Sequence, residues 1–274
     1  MHIYLNASEI AGLINKNKYN PQEDVIYDII CRVKKEKNKA DTNKLEIISK
    51  NELLELLKVF NDSKLIEKET MITFKKELEN TKKEDVSKIS QKLLNKVSKS
   101  SIQTKNTNES RVEQNKIETQ IKNVMKNKDV TNVQKYIDGH INKTRGIINE
   151  NKIIDKYEKK NQTKIKFNNS KLYKMKLFTF DIYEIYICGK IDGIIDDELI
   201  EIKNRRNRLF EFIPIYEQIQ IEIYFRLANL NKGKLIQNYN DTTSEFIITS
   251  NDTLWESIKN DIKEACTILI KQLN

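Results

Sequence analysis

Between Pro21 and Gly139 the chain contains neither glycine nor proline. These residues are the strongest local punctuators of regular structure, so a stretch this long without them offers few strong turn signals. Apolar residues recur there at helical spacing. Leu45, Ile48, Leu53, Leu54, Leu56, Leu57 and Phe60 form one stripe, and residues 65–78 and 86–97 carry two more. From Ser98 to Ser110 the residues are almost wholly Ser, Thr, Asn, Gln and Lys, which predicts a flexible linker, and Val112 to Tyr136 resumes a basic helical pattern. Only Phe60 and Phe74 are aromatic between residues 34 and 135, so a bundle built from this segment has a thin aliphatic core.

The same segment carries most of the charge. Residues 34–138 hold 24 Lys/Arg against 17 Asp/Glu, in a chain whose net charge is +9. A basic excess favours polyanionic partners and says nothing of fold. A solvated helical insertion and a DNA-contacting one are both consistent with it.

The flanks read differently. Ile3-Tyr4-Leu5 predicts a short strand, Asn6 or Ser8 can cap the helix that follows, and Pro21 starts a second helix to about Lys37. Far downstream, Tyr183 to Ile195 and Leu199 to Lys203 are apolar-rich runs on either side of Asp196-Asp197, the pattern of a hairpin with a tight turn. With that turn, Asp192 stands opposite Glu201. Glu201 and Lys203 project from one face of their strand and Ile200 and Ile202 from the other. Charges on a strand otherwise built of isoleucine are costly unless paired or bound to metal. Two carboxylates and an ammonium so placed suit a divalent cation, and a salt bridge on an exposed sheet face is the alternative.

Other elements adjoin this hairpin in sequence. Upstream, Gly146, Ile147, Glu150, Ile153, Ile154 and Tyr157 share one helical stripe, which sets Glu150 in an apolar face as a paired residue or a ligand. Downstream, Arg205, Arg206 and Arg208 make a basic loop. A helix follows from about Pro214 to Asn229, on which Gln218 and Gln220 cannot share a face while Gln220 and Tyr224 can. Two strands, Gly233 to Tyr239 and Glu245 to Ser250, and a closing helix from Leu254 to Leu273 with the only tryptophan, Trp255, complete the chain.

Cys31, Cys188 and Cys266 lie far apart with no metal-binding or paired spacing, so a reducing compartment is expected. No secretory signal pattern opens the sequence and no apolar run approaches the ~20 residues that span a bilayer, so an intracellular, non-secreted protein without membrane association is expected, in the cytoplasm or at a viral replication site. The heavy use of Lys, Asn and Ile is the bias of an AT-rich genome.

Four elements stand in one order: Asn-Ala-Ser-Glu-Ile-Ala-Gly-Leu-Ile near the start, Arg145-Gly146 with Glu150, Asp192 with Glu201-x-Lys203, and Gln-x-Gln on the next helix. This set resembles the phage lambda exonuclease and YqaJ-type viral recombinase branch of the PD-(D/E)XK nuclease superfamily. Two departures are visible: Ile191 replaces the proline before the aspartate, and Met1 to Asn6 contain no arginine. The resemblance implies an α/β fold, a restriction-endonuclease-like core with a central mixed sheet flanked by helices. Residues 1–33 and 139–274 would form that core, and residues 34–138 a basic Lys/Asn-rich helical insertion with a flexible linker near 98–110. It further implies Glu150, Asp192 and Glu201 as metal ligands, Lys203 as the catalytic lysine and Gln220 or Gln218 as its support. Ser8, Arg145, Arg205, Arg206 and Arg208 are the implied DNA contacts. Mg²⁺ is the implied cofactor, with Mn²⁺ substituting. The implied partners are double-stranded DNA, further copies of the chain in a trimeric ring, and a single-strand annealing protein.

Phosphodiester hydrolysis requires neutralising charge on the phosphate and generating hydroxide near pH 7, which a carboxylate-held divalent ion provides. The function expected is therefore a metal-dependent deoxyribonuclease, a 5′-to-3′ exonuclease on duplex ends in viral recombination or repair. A site-specific endonuclease or junction resolvase, and an inactive DNA-binding protein, are the alternatives.

Overall fold

The structure, a computed structural model, describes residues 1–38, 49–80, 86–102, 107–124, 150, 152–166, 171–205, 207–240 and 242–273. The chain divides into two compact units, one of Met1–Asp41 and Ile153–Asn274, the other of Thr42–Lys152. In chain order the described elements are β1 (His2–Asn6), α1 (Ala7–Leu13), α2 (Gln22–Asn38), α3 (Lys50–Asp62), α4 (Lys68–Glu79), α5 (Val86–Ile102) and α6 (Thr107–Val124). They continue with α7 (residues 152–161), β2 (Tyr173–Phe180), β3 (Tyr183–Gly189), β4 (Gly193–Ile195), β5 (Glu198–Asn204), α8 (Ile215–Ala228), β6 (Lys232–Tyr239), β7 (Thr242–Thr249) and α9 (Asp252–Leu273). Among the described residues no helix is long and apolar enough to cross a membrane.

The first unit is mixed α/β, with mixed sheets flanked by helices, as expected. β3 lies between β1, parallel to it, and β2, antiparallel. The second sheet runs β4-β5-β6-β7, with β5 and β6 parallel and both outer pairs antiparallel. Parallel neighbours need a crossover, and α8 supplies it between β5 and β6. This helix is buried nearly all round, with Ile219, Ile221, Ile223 and Phe225 in the main core beside Ile3, Leu5, Ile185, Ile187, Leu199 and Leu235. α7 covers the opposite side of the second sheet, where Ile153, Ile154 and Tyr157 pack on Ile200, Ile202 and Ile236. Ile200 and Ile202 thus face away from Leu199, as the period of two requires.

The structure corrects one local expectation, adds one strand and decides between two helix caps. The run from Tyr183 to Ile195 is not one strand: β3 ends at Gly189 in the first sheet, and β4 starts at Gly193 in the second. A Cβ at Gly189 would come 2.8 Å from the Tyr224 ring, so the strand passes α8 at backbone distance and then turns. β2 has no counterpart in the sequence reading; its alternation of lysines with aromatic and aliphatic residues suits an edge strand with one wet face. At the first helix Asn6, not Ser8, is the N-cap: its backbone N–H donates to Glu9 Oε1 at 2.8 Å, and Glu9 also takes Arg32.

Gly233 marks a second close approach. A Cβ there would stand 2.7 Å from Leu199 Cβ and nearer still to the Leu199 carbonyl oxygen, between parallel strands that cannot separate without losing their ladder. Gly233→Ala is expected to destabilise the first unit by about 1–3 kcal/mol, the usual cost of overpacking. Urea unfolding followed by the fluorescence of Trp255, which lies in this unit, measures it.

The second unit is helical. Leu53, Leu56, Leu57, Phe60, Phe74, Leu78, Leu93, Val97, Ile117 and Ile121 form its aliphatic core, with two aromatic rings. Residues 98–110 are not one linker, since α5 runs to Ile102 and α6 begins at Thr107. Ser, Thr, Asn and Lys each disfavour a helix interior by less than ~0.7 kcal/mol, too little to end a helix whose apolar stripe is buried. Residues 103–106, Leu45, Ile48 and the stretch from 125 to 149 lie outside the described residues.

Candidate active site

The hairpin turn forms as its chemistry dictates. Asp196 and Asp197 take φ of 46° and 63°, the left-handed pair of a two-residue turn that aspartate tolerates. The ladder that follows pairs Ile195 with Glu198, Ile194 with Leu199 and Gly193 with Ile200. The next opposed positions are Asp192 and Glu201. Asp192 has left the strand, and its Oδ2 accepts the backbone N–H of Ile202 at 2.8 Å, which anchors the carboxylate over the β5 backbone.

Glu201 and Lys203 share the β5 face turned to α8. Lys203 Nζ donates to Glu201 Oε1 at 2.7 Å and to Gln220 Oε1 at 3.0 Å, and Gln220 Nε2 donates to Tyr224 Oη at 2.8 Å. Gln220 and Tyr224, one turn apart on α8, therefore fix the lysine. Gln218 points elsewhere, donating to the Ile213 carbonyl at 2.6 Å on the exposed side of the helix start. Of the two glutamines, only Gln220 reaches the cluster.

The electrostatics are those of an incomplete site. The Glu201 side chain is 3% exposed, and its Oε2 is buried with no hydrogen-bond partner among the described residues. Burial, then the neighbouring Asp192 carboxylate, push its pKa from the ordinary 4.5 to about 8, against the opposing pull of Lys203. Burial drags Lys203 down, but Glu201, Glu217 and Asp192 together outweigh it and hold the ammonium above its ordinary range. Lys203 stays charged while Glu201 binds a proton readily.

An orphaned buried carboxylate oxygen beside a second carboxylate is a donor set that fits a hard divalent cation. Asp192 and Glu201 are the residues that would hold it. Among the described residues no cluster of three or more His, Cys, Asp or Glu side chains is placed to bind metal. Glu150 is half-buried and belongs to the second unit rather than to the one that carries this cluster.

The raised pKa of Glu201 has a consequence for stability. A carboxyl whose folded pKa exceeds its unfolded value contributes stability that is full below pH 4.5 and is lost as pH rises through about 8. Without divalent ion, the first unit is expected to weaken steadily between those limits, and Glu201→Gln to flatten the dependence. Denaturant midpoints followed by Trp255 fluorescence across pH measure both.

The basic loop is only partly as expected. Arg205 is 7% exposed and ion-paired: Nη1 and Nη2 donate to the two oxygens of Glu217 at 2.5 and 2.8 Å, Nε donates to Gln237 Oε1 at 2.9 Å, and the guanidinium lies over Phe210. This corrects its assignment as a DNA contact, since all three edges of its fork are engaged inside the core. Arg208 is exposed, as is Ser8 on the first turn of α1. Arg145 and Arg206 lie outside the described residues. Glu217, buried and electrostatically coupled to both Lys203 and Glu201, was missed by the sequence reading. Its signal was present: a carboxylate in a helix otherwise dominated by isoleucine and aromatics.

No protein-family model matches the chain, and no curated protein matches it significantly. Among solved structures it is similar to the crystal structure of SSO0001, with a TM-score of 0.38 and 18% identity over 52% of this chain and 66% of that one. It is also similar to LHK-Exo in complex with dAMP, with a TM-score of 0.36 and 15% identity over 47% of this chain and 68% of that one. The chain thus spans about two thirds of each of those structures.

Proposed function

We propose that this protein is a divalent-metal-dependent phosphodiester hydrolase acting on DNA, with Asp192, Glu201, Lys203 and Gln220 as its active centre. The observation that carries the reading is the buried, unpartnered Oε2 of Glu201 next to Asp192 and to a lysine locked in place. Buried polar atoms are in the large majority hydrogen-bonded, so an orphaned carboxylate oxygen beside a second carboxylate calls for a partner such as a cation. Asp192 and Glu201 would hold Mg²⁺, or Mn²⁺ in its place, and the proposal does not depend on Glu150.

The bound ion supplies Lewis acidity toward the phosphate and makes water a stronger acid. The chain's own residues do the rest. Glu201 releases its proton as the cation arrives, so metal affinity rises with pH toward about 8. Lys203 spends two N–H groups on Glu201 and Gln220, and the third remains to donate to a phosphate oxygen or to the attacking water. There its charge opposes the negative charge that grows in the transition state. Gln220, steadied by Tyr224, keeps that third donor aimed.

In its finer form the proposal is that of the YqaJ-type branch: a 5′-to-3′ exonuclease on duplex ends, serving recombination or repair. The purified chain is to be incubated with linear, end-blocked linear and covalently closed circular duplexes in Mg²⁺, Mn²⁺ or EDTA. Metal-dependent loss of the unblocked linear duplex alone is expected. Cutting of all three would instead make it an endonuclease. Binding without cutting in either metal would overturn the hydrolase reading in favour of an inactive DNA-binding protein.

A further inference from the structure

In the second unit, the junction of α3 and α4 forms a cleft of about 570 Å³ whose polar lining is Asn61, Lys64, Glu67, Lys68, Thr70 and Lys96. We infer that this cleft binds a phosphate group. Lys64 takes a left-handed φ of 59°, and the chain then tucks Leu65 and Ile66 into the core, where both backbone N–H groups donate to the Phe60 carbonyl at 2.8 and 3.2 Å. α4 starts immediately afterwards, and its cap Glu67 with Lys68 and Thr70 of its first turn line the cleft. Its N-cap is Glu67, whose side chain caps nothing, so the first-turn N–H groups of this twelve-residue helix have neither an intrahelical acceptor nor a side-chain one at the cap. Those donors and the positive end of the helix dipole favour an anion.

The second observation is Thr70. It is only 7% exposed, it lines the cleft, and its hydroxyl makes no hydrogen bond among the described residues. The other helical hydroxyls nearby are satisfied within their helices: Thr73 donates to the Glu69 carbonyl at 2.9 Å and Ser90 to the Val86 carbonyl at 3.0 Å. A buried hydroxyl left open toward a cleft is short of an acceptor, which an anion's oxygen supplies. Three lysines against one glutamate line the site, and neither Lys64 nor Lys68 forms an ion pair among the described residues. Uncapped N–H groups, a hydroxyl and ammoniums are all donors, and a phosphate offers acceptors on every side. The cleft is larger than one phosphate, leaving room for the rest of a chain that carries it.

The phosphate can come from a nucleic-acid backbone or from free inorganic phosphate, and the first source rests on the DNA reading above. The test compares wild type, a Lys64→Ala/Lys68→Ala double variant and Thr70→Val, each checked for helical circular dichroism, in two titrations without divalent metal. One is inorganic phosphate by calorimetry and the other a fluorescent duplex by anisotropy at several salt concentrations. Loss of phosphate affinity by about tenfold or more in the double variant, and by a smaller factor in Thr70→Val, is expected. If the backbone is the source, duplex affinity falls in the same variants, and the log K against log salt slope drops by roughly 0.9 for each backbone phosphate no longer neutralised. If free phosphate is the source, the duplex arm is unchanged while the phosphate arm falls. Equal binding of both probes by wild type and a folded Thr70→Val, or no phosphate binding by wild type, overturns the site. Because both titrations exclude hydrolysis, failure here leaves the active-centre reading standing, and failure of cleavage leaves this one standing.

Discussion

Lys203→Ala is expected to slow DNA cleavage by roughly a hundredfold or more while leaving the protein folded and able to bind Mn²⁺. Each ~1.4 kcal/mol of transition-state stabilisation is tenfold in rate, and an ammonium acting in a partly desolvated site supplies several such steps. The lysine is only 23% exposed, and its two hydrogen bonds hold it rather than the fold. Its removal also takes from Glu201 the neighbouring positive charge that favours deprotonation, so the pH at which Mn²⁺ binds should move upward. Asp192→Ala separates the two roles, since it should lose cleavage by losing the metal, seen as weak or absent heat in calorimetry. Cleavage by purified Lys203→Ala at the wild-type rate would show that the hairpin is not the active centre.

Glu217→Ala is expected to destabilise the first unit by about 3–5 kcal/mol, the usual result of leaving one charge of a buried pair uncompensated. Arg205 and Glu217 are 7% and 5% exposed, and the bidentate bond is the only carboxylate contact of that guanidinium among the described residues. The double replacement Arg205→Met/Glu217→Leu should recover most of the stability, because it removes the desolvated charges together. Urea unfolding followed by Trp255 fluorescence compares the three proteins. A Glu217→Ala variant as stable as wild type would show that the buried pair contributes nothing net to the fold.

What could be read locally came through. The Asp196-Asp197 turn and the period-two alternation of Glu201, Lys203, Ile200 and Ile202 are properties of a few neighbouring residues, so the sequence alone determined the register that sets Asp192 near Glu201. The helical spacing of the apolar residues between Pro21 and Gly139 likewise announced helices there, and the described regular structure of that segment is helical. The mixed α/β class was implied by the resemblance of the motifs, and the strands and helices of the first unit carry it.

Only the tertiary structure decided the rest, because it depends on which surfaces meet. Whether Gln218 or Gln220 serves Lys203 is set by the rotation of α8 against β5, and helix periodicity can say that the two differ but not which one wins. Arg205 was drawn inward because Glu217 and Gln237, 12 and 32 residues away, supply acceptors for every edge of its fork; composition sees only three arginines in a loop. The break between β3 and β4 arises from the close passage of Gly189 under Tyr224, a contact 35 residues apart in sequence. The helical ends at Ile102 and Thr107 belong to the same class, since polar residues decline a helix only weakly and burial of the apolar stripe on either side outweighs them.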